Sequence, residues 1–173
     1  MNEMMNWLLE LPQQVIGATA GAHAPFILDC KGDNEIEQHR LDPFYSVIVD
    51  APVIYKHSFD SSMGNQAEIE IHGSDKSIRN LVVEVNNGCL SIRTRCAMML
   101  YNPIIIHTKG PAIKKVTAMN HSRVKISEIF SLMFEAVCYD NADLELSGTT
   151  ARLNRQVNGR SIINTDHLRV IHP

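Results

Sequence analysis

From Leu41 onward apolar residues alternate with polar ones at a period of two, in short runs interrupted by Asn, Gly, Asp, Ser or Pro. This is the pattern of strands with one buried face. It predicts strands at Ser46–Val49, Val53–Phe59, Ala67–His72, Leu81–Val85, Leu90–Thr94, Ile104–His107, Lys115–Ala118, Val124–Ile126, Leu132–Ala136, Leu144–Leu146 and Ser161–Ile163. No long amphipathic helix competes there. Residues 1–38 carry another pattern: Met4, Met5, Leu8 and Leu9 keep helical spacing, Pro12 ends it, and small residues fill Gly17 to Ala24. The chain therefore divides into an N-terminal extension (1–38), with a short helix in residues 2–11, and a β domain (39–173) holding about one helical turn at most.

Two local signals refine the β domain. Asn86-Asn87-Gly88 lies between the strands Leu81–Val85 and Leu90–Thr94 and tolerates positive φ, so it predicts a tight hairpin. Downstream, the apolar pairs Val124/Ile126, Leu144/Leu146 and Ile162/Ile163 recur at nearly even spacing, each after an Asn (Asn120, Asn141, Asn158). A turn residue, a polar step and a strand thus repeat. A period of about 20 residues is the mark of a solenoid, in which each coil buries its apolar face only by stacking. The expected fold is all-β, a short parallel β-helix. Val124, Ile126, Leu144, Leu146 and Ile162 are its expected inward rungs, and the three asparagines its equivalent corners.

Composition agrees with one ordinary globular domain: of 173 residues 45% are apolar and 20% charged, enough for a substantial core. Sixteen Lys and Arg against nineteen Asp and Glu leave a net charge of −3. No basic cluster in the sequence offers counterion release, which argues against nucleic acid. The sequence holds no apolar run of the length, about 18 residues or more, that spans a bilayer. Ala22-His23-Ala24 could be a cleavage site, but Glu3, Glu10, Gln13 and Gln14 break the apolar stretch and no Lys or Arg precedes Lys31, so no signal peptide is assigned. Cys30, Cys89, Cys96 and Cys138 form no CxxC pair and read as thiols of a chain that folds without staples.

In order and spacing the sequence resembles the head GIN domain of putative auto-transporter adhesins from about Arg40 to Leu168. The resemblance is carried by Leu41-Asp42-Pro43-Phe44 leading into Val47-Ile48-Val49, by Leu81-Val82-Val83-Glu84-Val85 with Asn86-Asn87-Gly88 and Leu90-Ser91-Ile92, by Gly110-Pro111, by Leu146-Ser147-Gly148, and by Val157-Asn158-Gly159-Arg160-Ser161-Ile162. It implies a right-handed parallel β-helix preceded by hairpin-like strands, in a family mostly of exported bacterial proteins with no established catalytic residues. The usual export signal is not evident and Asn120–Arg123 and Asn141–Asp143 are poorer in Ser-Gly steps than the family's repeats, so the resemblance favours an exported location and the N-terminus a cytoplasmic one.

The sequence yields few candidates for chemistry. In the strand Ala67–His72, Glu68, Glu70 and His72 share one face, where two carboxylates and an imidazole could hold a divalent cation; a solvated outer row is the simpler reading. Asp140, Asp143 and Glu145 are the nearest approach to the carboxylate pair of a glycoside hydrolase, though neighbouring Asx residues commonly make turns. His72-Gly73-Ser74-Asp75 lacks a nucleophile elbow and reads as a polar turn. Asn120-His121-Ser122 fits a glycosylation pattern, and Lys31-Gly32-Asp33-Asn34 reads as an exposed loop. Eight scattered histidines give no ligand pair. No catalytic residue and no cofactor is assigned. The first reading is a non-enzymatic binding or adhesion module that presents a laddered β surface to a carbohydrate or protein partner. The alternatives are a polysaccharide-active enzyme on the same coils and a structural protein whose coil ends or N-terminal extension join copies into a homo-oligomer.

Overall fold

The computed structural model describes residues 27–171. Its strands are β1 (Ile27–Asp29), β2 (Asn34–Leu41), β3 (Ser46–Asp50), β4 (Val53–Phe59), β5 (Ala67–Ser74), β6 (Leu81–Asn86), β7 (Cys89–Thr94), β8 (Ala97–Met99), β9 (Ile104–Gly110), β10 (Lys115–Met119), β11 (Arg123–Cys138), β12 (Asp143–Val157) and β13 (Ile162–Val170). A 3-10 turn at Ser61–Met63 follows β4, and a six-residue helix, α1 (Asp75–Asn80), follows β5. The helix exceeds the single turn expected. Ser74 sets it: its hydroxyl accepts from the Ser77 amide at 3.2 Å and donates to the Cys30 carbonyl at 2.7 Å, so the His72–Asp75 stretch is a helix cap and not a polar turn. Among the described residues no helix is long and apolar enough to cross a membrane.

The architecture is all-β, a nearly closed, barrel-shaped mixed sheet. Its strands run in the order β2-β5-β9-β4-β11-β10-β3-β7-β6, with β12 beside β11 and β13 beside β12; β1 and β8 form a separate two-stranded ribbon. The segment read as an extension thus contributes strands, β1 on β8 and β2 antiparallel to β5, and the expected loop Lys31–Asn34 ends inside β2. The helix expected in residues 2–11 and the Ala22-His23-Ala24 step lie outside the described residues. At Asn87-Gly88, φ is 51° and 73° between the paired Asn86 and Cys89, the two-residue hairpin that the sequence announces.

Most other pairs are parallel. The segments Val124–Ile126 and Leu132–Ala136, expected as separate strands, belong to one 16-residue strand that bends. Its start pairs with β4 and its end with β10, while β12 follows it throughout. The ladder between β11 and β12 runs in one register at Arg123↔Asp143 and in a register shifted by one position at Ile129↔Gly148. The extra residue falls between Ile126 and Ile129, where Glu128 takes φ 59° and makes a bulge.

Alternation puts complete rows of apolar side chains inside. Leu90, Val47, Val116 and Ala136 lie side by side across β7, β3, β10 and β11, each 0% exposed. Val124, Ile126, Leu144 and Leu146 are likewise buried. Each buried aliphatic side chain of this size contributes about 1.5–3 kcal/mol. Ile162 corrects the expectation, because it is 61% exposed and pairs with Asp143, while Ile163 pairs with Leu144 and packs on the core. Aligning the repeats on their first apolar residue slips the last one by one position, and one position turns a side chain to the other face. The corners slip too. Ala118, Cys138 and Val157 are ladder partners, so the positions matching Asn120 are Asp140 and Gly159, and Asn141 and Asn158 fall one place after and before. Left-handed φ values at Asn120 (53°), His121 (62°), Asp140 (53°), Asn141 (61°) and Gly159 (71°) show why these corners favour Asn, Asp and Gly.

Candidate functional site

The outward side chains of β2, β5, β9, β4, β11, β12 and β13 align across the sheet as regularly as the inward ones. One row reads Gln38, Glu70, His107, Lys56, Lys125, Glu145, Asn164. The next, toward the strand ends, reads Arg40, Glu68, Lys109, Ser58, Ser127. No Phe, Tyr or Trp stands in either row. The two rows make a continuous polar face.

At its centre lies a shallow groove of about 280 Å³ lined by Lys56, Ser58, His107, Lys109, Lys125 and Ser127, with no carboxylate in its lining. Toward β2 it continues into a second groove, where Arg40, Glu68 and Glu70 join His107 and Lys109. The Lys125 ammonium donates to Glu145 at 2.7 Å. The Glu70 carboxylate meets His72 Nε2 at 2.5 Å and accepts from the Gln38 amide at 2.5 Å, and these bonds hold it below the usual carboxylate range. Burial and then the neighbouring Lys56 push the His107 imidazole below its ordinary value. Its ring lies 6.1 Å from that of His72.

Behind the groove, on the inner side of the same strands, a buried polar chain ties β4 to β9. His57 is 1% exposed. Its Nε2 lies 3.1 Å from the Pro111 carbonyl, which can only accept, so Nε2 carries the proton and Nδ1 accepts from the Thr108 hydroxyl at 2.9 Å. The Thr108 oxygen in turn accepts from the Tyr55 hydroxyl at 2.7 Å. Every polar group is satisfied in the neutral state, and burial pushes the His57 pKa down to about 4 and the Tyr55 phenol up.

Glu68, Glu70 and His72 do share one face, with Ile69 and Ile71 buried on the other. Glu70 and His72 are in contact, whereas Glu68 is the ladder neighbour of Arg40 and Lys109. Among the described residues no group of three or more His, Cys, Asp or Glu side chains is placed to hold a metal ion. Of the carboxylate cluster, Glu145 pairs with Lys125, Asp143 lies opposite Arg123, and Asp140 sits in a corner. Ser122, third in the glycosylation pattern, is 0% exposed. All four cysteines are free, Cys30 and Cys138 buried. Burial raises the Cys30 thiol to about 11. Lys56, His107, Lys109 and Lys125 escape the sequence reading because no local motif joins them; only alternation within each strand marks them as outward.

A family model described as "Putative auto-transporter adhesin, head GIN domain" matches residues 56–171. Solved structures of three putative adhesins are similar to the chain. That of Parabacteroides merdae shares 14% identity over 81% of this chain and 58% of its own, with a TM-score of 0.71. That of Parabacteroides distasonis shares 13% over 80% and 58%, with 0.63. That of Bacteroides fragilis shares 13% over 83% and 75%, with 0.65. The chain spans just under six-tenths of the first two, 58% of each. No curated protein matches the chain. At these identities the likeness is one of fold.

Proposed function

Since the chain belongs to the family of the putative auto-transporter adhesin head GIN domain, we propose that it is a non-enzymatic adhesion-type module whose outward ladder meets a carbohydrate or protein partner. We infer with it that the sheet is wound as a short right-handed parallel β-helix. The near-constant offset between β11 and β12, from Arg123↔Asp143 to Cys138↔Val157, supports the winding, and the handedness follows the strong preference of parallel crossovers. A stack of coils produces a flat, repetitive outer face without further design.

The observation that carries the functional reading is the register of polar side chains across seven strands, which suits an extended partner rather than a small molecule in a pocket. Two of the candidate catalytic groups are otherwise engaged: Ser74 caps α1 and Glu145 pairs with Lys125. A glycan array and a panel of extracellular proteins, probed with the native chain and with Ser58→Trp, test the reading. Binding that the bulky residue on the face abolishes, with no reducing sugar released from glycan hits, is expected. Reducing-sugar release from the bound glycans would replace it with the enzymatic alternative.

A second reading, self-association, is favoured by one feature. Among the described residues β13 pairs with β12 alone, and Val157 and Ile162 beside that open edge are 46% and 61% exposed. A molecular mass that rises with concentration in sedimentation would support it, and a constant monomer mass would dismiss it.

A further inference from the structure

We propose that the groove at the centre of the polar face binds an anionic polysaccharide, one whose sugars carry carboxylate or sulfate groups. The proposal rests on the reading of this face as a binding surface and names its ligand class.

Three features point there. The groove gathers Lys56, Lys109 and Lys125 around His107 with Ser58 and Ser127, and no Asp or Glu lines it, although the whole chain carries a net charge of −3. Positive charge has been concentrated where acidic residues would be the commoner neighbours. Secondly, Lys56 and Lys125 are direct ladder partners, an arrangement that destabilises a sheet. Only Lys125 is relieved, by Glu145; Lys56 has His107 on its other side and forms no ion pair among the described residues. Folding gains nothing from this pair, whereas an incoming anion would meet two cations at once. Thirdly, the rows hold no aromatic side chain. Neutral sugars are commonly held by stacking on aromatic rings, so on this face charge and hydroxyl contacts must supply the recognition.

Strands lie about 4.8 Å apart, close to the length of one sugar in an extended chain. A polysaccharide running across β9, β4 and β11 would therefore advance about one sugar per strand, with its acidic groups over Lys56 and Lys125 and with His107, Ser58 and Ser127 available to its hydroxyls. Glu68 and Glu70 mark where the basic stretch ends toward β2, and Glu145 marks its other side. Nucleic acid is the poorer fit, because base stacking has no platform here and only a few cations are offered.

The test is calorimetric titration of the native chain with a polygalacturonate oligosaccharide, a sulfated chondroitin oligosaccharide, neutral oligosaccharides of similar length and a single-stranded oligonucleotide. Binding of one or both acidic glycans, weakening as salt is raised, is expected. The double variant Lys56→Glu/Lys109→Glu should weaken it at least about tenfold, as attractive charges become repulsive. Arg152→Glu/Arg169→Glu makes the same charge change on exposed residues outside the two rows and should leave it unaltered. Circular dichroism confirms that both variants are folded. Equal losses in the two variants, or equally tight binding of the oligonucleotide, would overturn the assignment. Neutral glycans binding while acidic ones do not would overturn the ligand class but leave the face as a glycan surface; no binding to any glycan and none to the protein panel would remove the functional reading itself.

Discussion

Gly148 lies where β12 passes the bulge in β11, and Gly148→Ala puts the close approach of the two strands to a quantitative test. The residue has φ 125° and faces Ile129 across β11 and β12. A Cβ built on it would stand 2.4 Å from both the nitrogen and the oxygen of Ile129 and 2.9 Å from its Cα. Those atoms are backbone in a paired strand and cannot swing aside as a flexible side chain can. Two costs follow: holding an L residue in a sparsely populated backbone region, about 1–3 kcal/mol, and overpacking against the neighbouring strand, about 1–3 kcal/mol more. A loss of about 2–6 kcal/mol is expected, a large share of the roughly 5–15 kcal/mol typical of a domain. Gly64 supplies the control, because its φ is 59° but nothing lies within 4 Å of a Cβ built there. Gly64→Ala should cost only the backbone component, about 1–3 kcal/mol. Urea denaturation of the two variants measures both. If they destabilise equally, the close approach of β12 to the bulge of β11 carries no cost and the expected overpacking is refuted.

Further outcomes follow from burial and charge. Leu144→Ala should cost about 2–5 kcal/mol by leaving a cavity, whereas Ile162→Ala, one rung on but outward, should stay within about 0.5 kcal/mol; similar losses in urea titrations would contradict the register. Glu145→Ala removes a half-exposed ion pair with Lys125 and should cost less than about 1 kcal/mol, far below Leu144→Ala in the same assay. His57 has its pKa lowered from 6.5 to about 4 in the folded state, so the unfolded chain takes up the proton first. Its contribution is present above pH 6.5 and is lost as pH falls toward 4, by about 3 kcal/mol at roughly 1.36 kcal/mol per pH unit. His57→Leu should flatten the stability profile in that window, and an unchanged slope would assign the pH dependence to other groups.

Most strands of the β domain were legible because each carries its own alternation: Val53–Phe59 matches β4 to the residue, whereas the three-residue β8 is too short to carry one. The hairpin was legible because Asn87-Gly88 meets a backbone requirement that few other residues meet. What failed was register. Ile162 and Ile163 are both apolar, and alternation cannot say which of two adjacent isoleucines faces in; the ladder with Leu144 decides it. β2 was missed for a related reason. Its residues Asn34–Leu41 are mostly exposed, so burial imposes no alternation on them, and only pairing with β5 makes them a strand. α1 was missed because Ser74-Asp75 reads as a turn until the Cys30 carbonyl and the Ser77 amide both use the Ser74 hydroxyl.

The candidate groove was illegible for a different reason. In the sheet β4 lies between β9 and β11, so neighbours in space come from distant segments, and the local repeat of β11 to β13 gives no hint of that order. The same order sets His57 beside Thr108 inside and Lys56 beside His107 outside. Inward positions are constrained tightly by packing, and their residues are what any such core demands. Outward positions are asked only to be polar, so most choices there carry no information about folding. A choice that costs stability is the exception. Placing Lys56 against Lys125 opposes the fold slightly, and Glu145 relieves only Lys125. A single change, Lys56→Glu, would turn that repulsion into attraction across the same two strands, whereas Lys125→Glu would set a second carboxylate beside Glu145. That Lys–Lys pair is the feature on which the proposed binding surface most rests, and it could be recognised only after the strand order had brought the two lysines together.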